Sequence, residues 1–212
     1  MTTSRRRLTA VAVLLISAAL IYLAFEALAA ASVPRYSYAE HYISVLGVPD
    51  FSPRAYLMNS AFYLQGALFF LGAVLAVRAV PGRWTGGLFL ILTATNTAGN
   101  VLVALVHGGS PLWVNGHEWL HALGAILAIF GGNLAIIIGT FVVGRGIAAR
   151  WYRPVGVLIG VAGIVIFALL QNYNYWAIDY APIGVVERAC VYTIMLWQLV
   201  TGIVLLTRPK RN

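Results

Sequence analysis

Acidic residues are scarce in this sequence, six against 14 lysines and arginines in 212 residues, and charged residues of both signs make up only 9% of the chain. A soluble domain carries roughly 25% charged residues. So few charges cannot hydrate a soluble surface of this size, which excludes a soluble enzyme, a disordered tail and a coiled coil. Cysteine occurs once, as Cys190, which excludes an intrachain disulfide and any cysteine-based metal motif. Internal repetition is also missing: no inverted three-plus-three pattern relates the two halves.

What is present is apolar: 61% of the residues are hydrophobic, with a mean hydropathy of +0.85. Six stretches approach or exceed the ~20 apolar residues needed to cross a bilayer: 8–30, 56–77, 84–106, 118–143, 154–173 and 186–207. They are continuously apolar rather than alternating, so they read as helices and not barrel strands. The fold class expected is therefore all-α, a polytopic transmembrane bundle of six spans forming a single domain over 1–212. The apolar run after Arg5-Arg6-Arg7 exceeds the ~7–15 residues of a signal-peptide core, and reads as an uncleaved first span.

The sparse charges set an orientation. With the N-terminus inside, the inner segments hold Arg5, Arg6, Arg7, Arg78, Arg83, Arg145, Arg150, Arg153, Arg208, Lys210 and Arg211, or 11 of the 14 basic residues. Only Arg35, Arg54 and Arg188 fall on the other side. The positive-inside rule predicts both termini cytoplasmic. All six acids (Glu26, Glu40, Asp50, Glu118, Asp179, Glu187) and all four histidines (His41, His107, His117, His121) then lie toward the outside. The net charge of +8 thus reports topology and contact with anionic lipid headgroups. Scattered single arginines form no patch, and no nucleic-acid partner is expected. Ion-coupled transporters carry ionisable groups near the midplane. Here the inner half of every span lacks them, which favours a polar pocket open to the outside over a through-path.

The longest outer connection, 31–55, has the marks of a short helix over 38–46. Ser37 and Glu40 form a capping-box pattern. Gly47 suits a left-handed C-terminal position, and Pro49 stops continuation. Tyr38, Tyr42 and Val45 share a face beside His41. This loop reads as an interfacial lid anchored by its tyrosines; the alternative is a lid that also contributes His41 and Ser44 to a site. Ser52 and Pro53 are expected to start the second span as cap and first helical residue.

His117-Glu118-Trp119-Leu120-His121 is an H-E-x-x-H motif. On a helix its two imidazoles would face one Zn²⁺, with Glu118 as general base on a metal-bound water. A third ligand follows at no standard spacing; His107, His41, Asp179 and Glu187 are on the same side. The same residues also read as a helix start, with Asn115 as cap and Glu118 at the third position. Trp119 then sits in the interfacial aromatic belt, as do the aromatics of 171–182. Buried amides (Asn59, Gln65, Asn96, Asn100, Asn133, Gln198) suit helix–helix contacts, and Asn96 and Asn100 share a face. Glu187 and Arg188, being adjacent, point different ways and each needs its own partner. Gly156 and Gly160, like Gly82 and Gly86, are small-xxx-small pairs suited to close helix packing, within the chain or in a homo-oligomer.

Tyr36-Ser37 followed by Ile43-Ser44-Val45-Leu46-Gly47, with Asn59 and Gly66, His121, and Gly184…Glu187-Arg188…Trp197, resembles the domain of unknown function 998 family. The resemblance covers nearly the whole chain. It implies a prokaryotic six-helix plasma-membrane protein without an established activity. Its pattern features His121 rather than His117, which lowers the metalloprotease reading and groups Ser44, His121, Glu187 and Arg188 as a shared outer constellation.

The function expected is binding, or modification, of a lipid-like ligand in an outward-facing pocket, with membrane lipids as partners. The candidate catalytic groups are Glu118, His121, Ser44 and His41. The candidate ligand-binding groups are Glu187, Arg188, Asn59 and Asn100. The alternatives are a zinc-dependent membrane hydrolase with His117 and His121 as ligands, and a non-catalytic assembly subunit.

Overall fold

A backbone that crosses hydrocarbon must satisfy its own hydrogen bonds, and each apolar stretch does so as an α-helix. The computed structural model describes residues 3–80, 82–176 and 181–208. Its helices are α1 (Thr3–Ala30), α2 (Ala55–Ala79), α3 (Arg83–Leu105), α4 (Trp119–Val143), α5 (Tyr152–Trp176) and α6 (Ile183–Thr207), with no strand among the described residues. All six are long and apolar enough to cross a membrane. The shortest has 23 residues, about 35 Å at ~1.5 Å per residue, against a hydrocarbon core of ~30 Å. Asp179, Lys210 and Arg211 lie outside the described residues.

Each helix packs on its neighbours in sequence, and α6 closes on α1, so the six form a ring with α4 also meeting α2 and α6 across the centre. Polarity is arranged inside out. Gln65, Asn96, Asn133 and Gln198 are each 1% exposed or less, whereas Val13, Leu20, Ile91, Leu158, Val165 and Ile203 are all more than half exposed. The amides join the helices: Asn133 donates to the Cys190 carbonyl across α4 and α6 at 3.0 Å, and Trp197 donates to Thr140 Oγ1 at 2.7 Å. Close approach is set by small residues. A Cβ on Gly99 of α3 would meet the backbone of Gly124 and Ala128 in α4. Gly156 and Gly160 of α5 seat against Thr140, Ile137 and Asn133 of α4, so this pair packs within the chain.

Two helix starts differ from expectation. α2 begins at Ala55 with no side-chain cap and follows Arg54 directly; Ser52 lies further out, buried, with its amide donating to the Val48 carbonyl at 2.8 Å and its Oγ unpaired among the described residues. α4 begins at Trp119 with no side-chain cap. Asn115 (φ −84°, ψ 16°) and Gly116 (φ 83°, ψ 19°) break the helical path before it. Gly116 meets this left-handed demand without a Cβ penalty.

The connection between α1 and α2 differs most. In place of a helix over 38–46 it forms a series of turns and one 3-10 turn, Ser44–Gly47. Gly47 has no positive φ. Its role is steric: Asn59 Nδ2 donates to its carbonyl at 2.9 Å, and a Cβ there would strike the Asn59 amide.

Candidate functional site

The 31–54 connection is a lid held by α6. Arg188, one turn into α6, is buried at 6% exposure beside Glu26, buried at 1% near the end of α1. The Arg188 Nε–Glu26 Oε1 separation is 3.0 Å, and Tyr192 donates to Glu26 Oε2 at 2.9 Å. Arg188 Nη1 donates to the Tyr38 and His41 carbonyls, each at 2.8 Å, and to the Gly184 carbonyl at 3.2 Å. Its Nη2 donates to the Tyr36 hydroxyl. Its guanidinium lies 4.7 Å from the Tyr38 ring centroid, within cation–π range. One cation thus gathers a carboxylate, three carbonyls and a phenol.

Glu187 holds the lid through a different group. Its Oε2 accepts the Ile43 N–H at 2.5 Å, fixing Ile43 and Leu46 with 1% and 0% exposure in the mouth of the bundle. Gly184 lets the lid descend, since a Cβ there would meet the carbonyls of His41, Tyr38 and Ala39. Tyr42 donates to Asn174 Oδ1 at 2.6 Å, and the Val185 amide donates to the Ala39 carbonyl at 3.2 Å. Burial pushes the Tyr36 and Tyr42 phenols up to about 12, so both stay neutral donors at physiological pH.

Beneath this lid is a cavity of about 50 Å³, room for a few water-sized groups. Its wall is built by five helices and the lid: Tyr22 of α1, Gln65 of α2, Asn96 and Asn100 of α3, His121 of α4, Glu187 of α6 and Ser44 of the lid, among apolar side chains. Asn100 Nδ2 donates to Gln65 Oε1 at 3.0 Å and to the Asn96 carbonyl at 2.9 Å. Asn96 Nδ2 donates to the Ala128 carbonyl at 2.7 Å. Among the described residues, Gln65 Nε2 and Asn96 Oδ1 are buried without a hydrogen-bond partner. A buried polar atom left unpaired costs ~1–3 kcal/mol, so this wall has unmet bonding capacity.

Ser44, His121, Glu187 and Asn100 therefore meet at one cavity, while the other sequence candidates stand elsewhere. Arg188 faces the lid and Glu26. Asn59 supports Gly47 from below. His41 stacks on Tyr36 with centroids 5.3 Å apart, and its Nδ1 accepts the Ser37 amide at 3.0 Å; it does not line the cavity. His117 and Glu118 are exposed in the segment before α4. His121 Nδ1 lies 2.9 Å from the Val106 carbonyl, and since a carbonyl only accepts, that nitrogen carries the proton. Among the described residues no three His, Cys, Asp or Glu side chains converge as a metal site would require. The zinc reading draws no support from this donor set.

Three participants were not singled out from sequence as site residues. The sequence places Glu26 only among the acids toward the outside, and Gln65 and Asn96 among the amides suited to helix–helix contacts, Asn96 sharing a face with Asn100. Their signal was weak but real: an acid within an apolar span and amides spaced on facing helices.

No curated protein and no solved structure matches the chain. The model of one family, described as protein of unknown function DUF998, matches residues 4–204. With that match over almost its whole length, and with the six helices and the Ser44–Gly47, Glu187 and Arg188 elements in place, the chain belongs to the DUF998 family.

Proposed function

We propose that this multi-pass protein lies in the plasma membrane with both termini cytoplasmic. It binds the polar end of a lipid-like ligand beneath its lid, at the outer leaflet. The observation that carries this reading is the pair of unpartnered amide atoms, Gln65 Nε2 and Asn96 Oδ1, on the wall of one cavity. Buried amide atoms are normally paired. Among the described residues Gln198 also has both amide atoms unpaired, but only the Gln65 and Asn96 atoms belong to residues lining the cavity with Ser44, Asn100, His121 and Glu187. At about 50 Å³ the cavity takes a polar end and not a whole lipid, so the remainder of the ligand stays outside it. The sidedness rests on the positive-inside distribution of arginines. Ser44 and His121 supply a hydroxyl and an imidazole at the same cavity, the groups nearest to any chemistry on the bound end.

The test is native mass spectrometry of the protein released from membranes, comparing wild type with the Gln65→Leu/Asn96→Leu double variant. One retained small molecule or lipid class, lost in the variant, is the expected result. Identical and non-selective lipid content in both would overturn the reading.

A further inference from the structure

The charge on the cavity wall selects among polar ligands. Among the described residues, the ionisable side chains that line it are Tyr22, His121 and Glu187, and no arginine or lysine does so. Arg188, next in sequence to Glu187, is committed to Glu26 and to lid carbonyls. A phosphate or carboxylate placed here would be buried beside another acid with no counter-cation, at a cost of several kcal/mol. The free hydrogen-bonding capacity is weighted toward acceptors. Among the described residues, the one hydrogen bond to the Glu187 carboxylate comes from Ile43 to Oε2, which leaves Oε1. Asn96 Oδ1 is the second open acceptor. Ser44 Oγ can serve as a third. The rings of Tyr22 and Phe62, an edge-to-face pair with centroids 5.8 Å apart, also border the cavity.

Three acceptors, one of them a carboxyl group that a cation would hold ionised, with aromatic rings alongside, match an ammonium group. It has three N–H donors and one positive charge, and is attracted by ring faces. We propose that the group bound in this cavity is a primary alkylammonium; this rests on the reading that the cavity is a ligand site. Gln65 Nε2 then donates to a hydroxyl or ester oxygen on the adjoining carbon chain. An aminolipid headgroup and a free small amine share this chemistry. A phosphate-bearing aminolipid leaves its phosphate outside the cavity.

The experiment titrates full-length protein in phosphatidylcholine nanodiscs with ethanolammonium, with its neutral counterpart ethylene glycol, and with inorganic phosphate, reading heat of binding. Native mass spectrometry of nanodiscs that also contain phosphatidylethanolamine distinguishes the lipid source from the free amine. Ethanolammonium, or retained phosphatidylethanolamine, is expected to bind at least about tenfold more tightly than the neutral diol or than phosphatidylcholine, as a charged hydrogen bond implies. Glu187→Gln, which keeps an oxygen for the Ile43 amide, is expected to erase that preference. Asn96→Leu weakens amine binding without touching the lid and serves if Glu187→Gln does not fold. Equal binding of amine and diol, or stronger binding of phosphate, overturns the ammonium assignment while the cavity remains a ligand site. Failure of every probe and every lipid to bind overturns both.

Discussion

Arg188 is the residue whose loss the structure makes most costly, and the asymmetry with its partner is the informative part. Arg188→Met removes the 3.0 Å pair with Glu26 and the donors to Tyr38, His41 and Gly184. It leaves the Glu26 carboxylate at 1% exposure with the Tyr192 hydroxyl as its remaining donor. Breaking a buried pair from one side costs ~3–5 kcal/mol. Glu26→Gln is milder: the amide oxygen still accepts from Nε, and the guanidinium keeps the Tyr38, His41 and Gly184 carbonyls and the Tyr36 hydroxyl. That change costs ~1–2 kcal/mol.

The double variant buries no lone charge and is expected to be more stable than Arg188→Met alone. Cys190 is a built-in reporter, being the single cysteine, 0% exposed and bonded to the Glu187 carbonyl at 3.1 Å. A thiol-reactive fluorophore added during heating reports the temperature at which this region opens. At roughly 2–4 °C per kcal/mol for a chain of this size, Arg188→Met lowers the midpoint by roughly 6–20 °C and Glu26→Gln by roughly 2–8 °C. Equal losses from the two single variants that add in the double would refute the reasoning, since they would mean the charges act independently.

Other consequences follow from the packing and the lid. Gly99→Ala places a methyl against the α4 backbone and is expected to cost ~1–3 kcal/mol. Gly87→Ala meets nothing within 4 Å and is expected to stabilise by ~0.5–1 kcal/mol; midpoints moving in the same direction would contradict the assigned α3–α4 contact. Gly184→Ala pushes on the Tyr38, Ala39 and His41 carbonyls, so limited trypsin digestion is expected to cut faster at the exposed Arg35 and Arg54; unchanged cleavage would detach Gly184 from the lid. Tyr36 and Tyr42, raised by burial to about 12, hold a proton in the folded state that the unfolded chain gives up near 10. Their contribution to lid stability is therefore intact below about 10 and lost as pH rises toward about 12. In a spectrophotometric titration, Tyr42→Phe should remove a late-ionising phenol; loss of a component near 10 instead would contradict its burial.

The six spans were legible because lipid demands apolar length and internal hydrogen bonding, a constraint written continuously along the chain. The lid was not. Ser37 and Glu40 do make part of a capping box, since the Glu40 amide donates to Ser37 Oγ at 3.2 Å. But a helix over 38–46 needs the Tyr38 carbonyl for the amide of Tyr42, and Arg188 takes that carbonyl instead. It also needs the Ile43 amide, which Glu187 takes. Two adjacent residues about 150 positions away thus redirect the local preference, a long-range effect no local pattern contains.

The site was legible in part for the same reason. Ser44, His121, Glu187 and Asn100 were visible as polar residues on one side of the membrane, and they meet at one cavity. His41 and Arg188 were visible too, but their hydrogen bonds serve the lid. The open valences of Gln65 and Asn96 depend on which neighbours satisfy the other half of each amide, and only packed helices decide that.

An electron-density or cryo-microscopy map of the protein purified from its own membranes tests the central claim most directly. The account predicts continuous non-protein density within hydrogen-bond reach of Gln65 Nε2, Asn96 Oδ1 and Glu187 Oε1, absent from the Gln65→Leu/Asn96→Leu variant. Isolated water peaks alone in that cavity, unchanged in the variant, would contradict it.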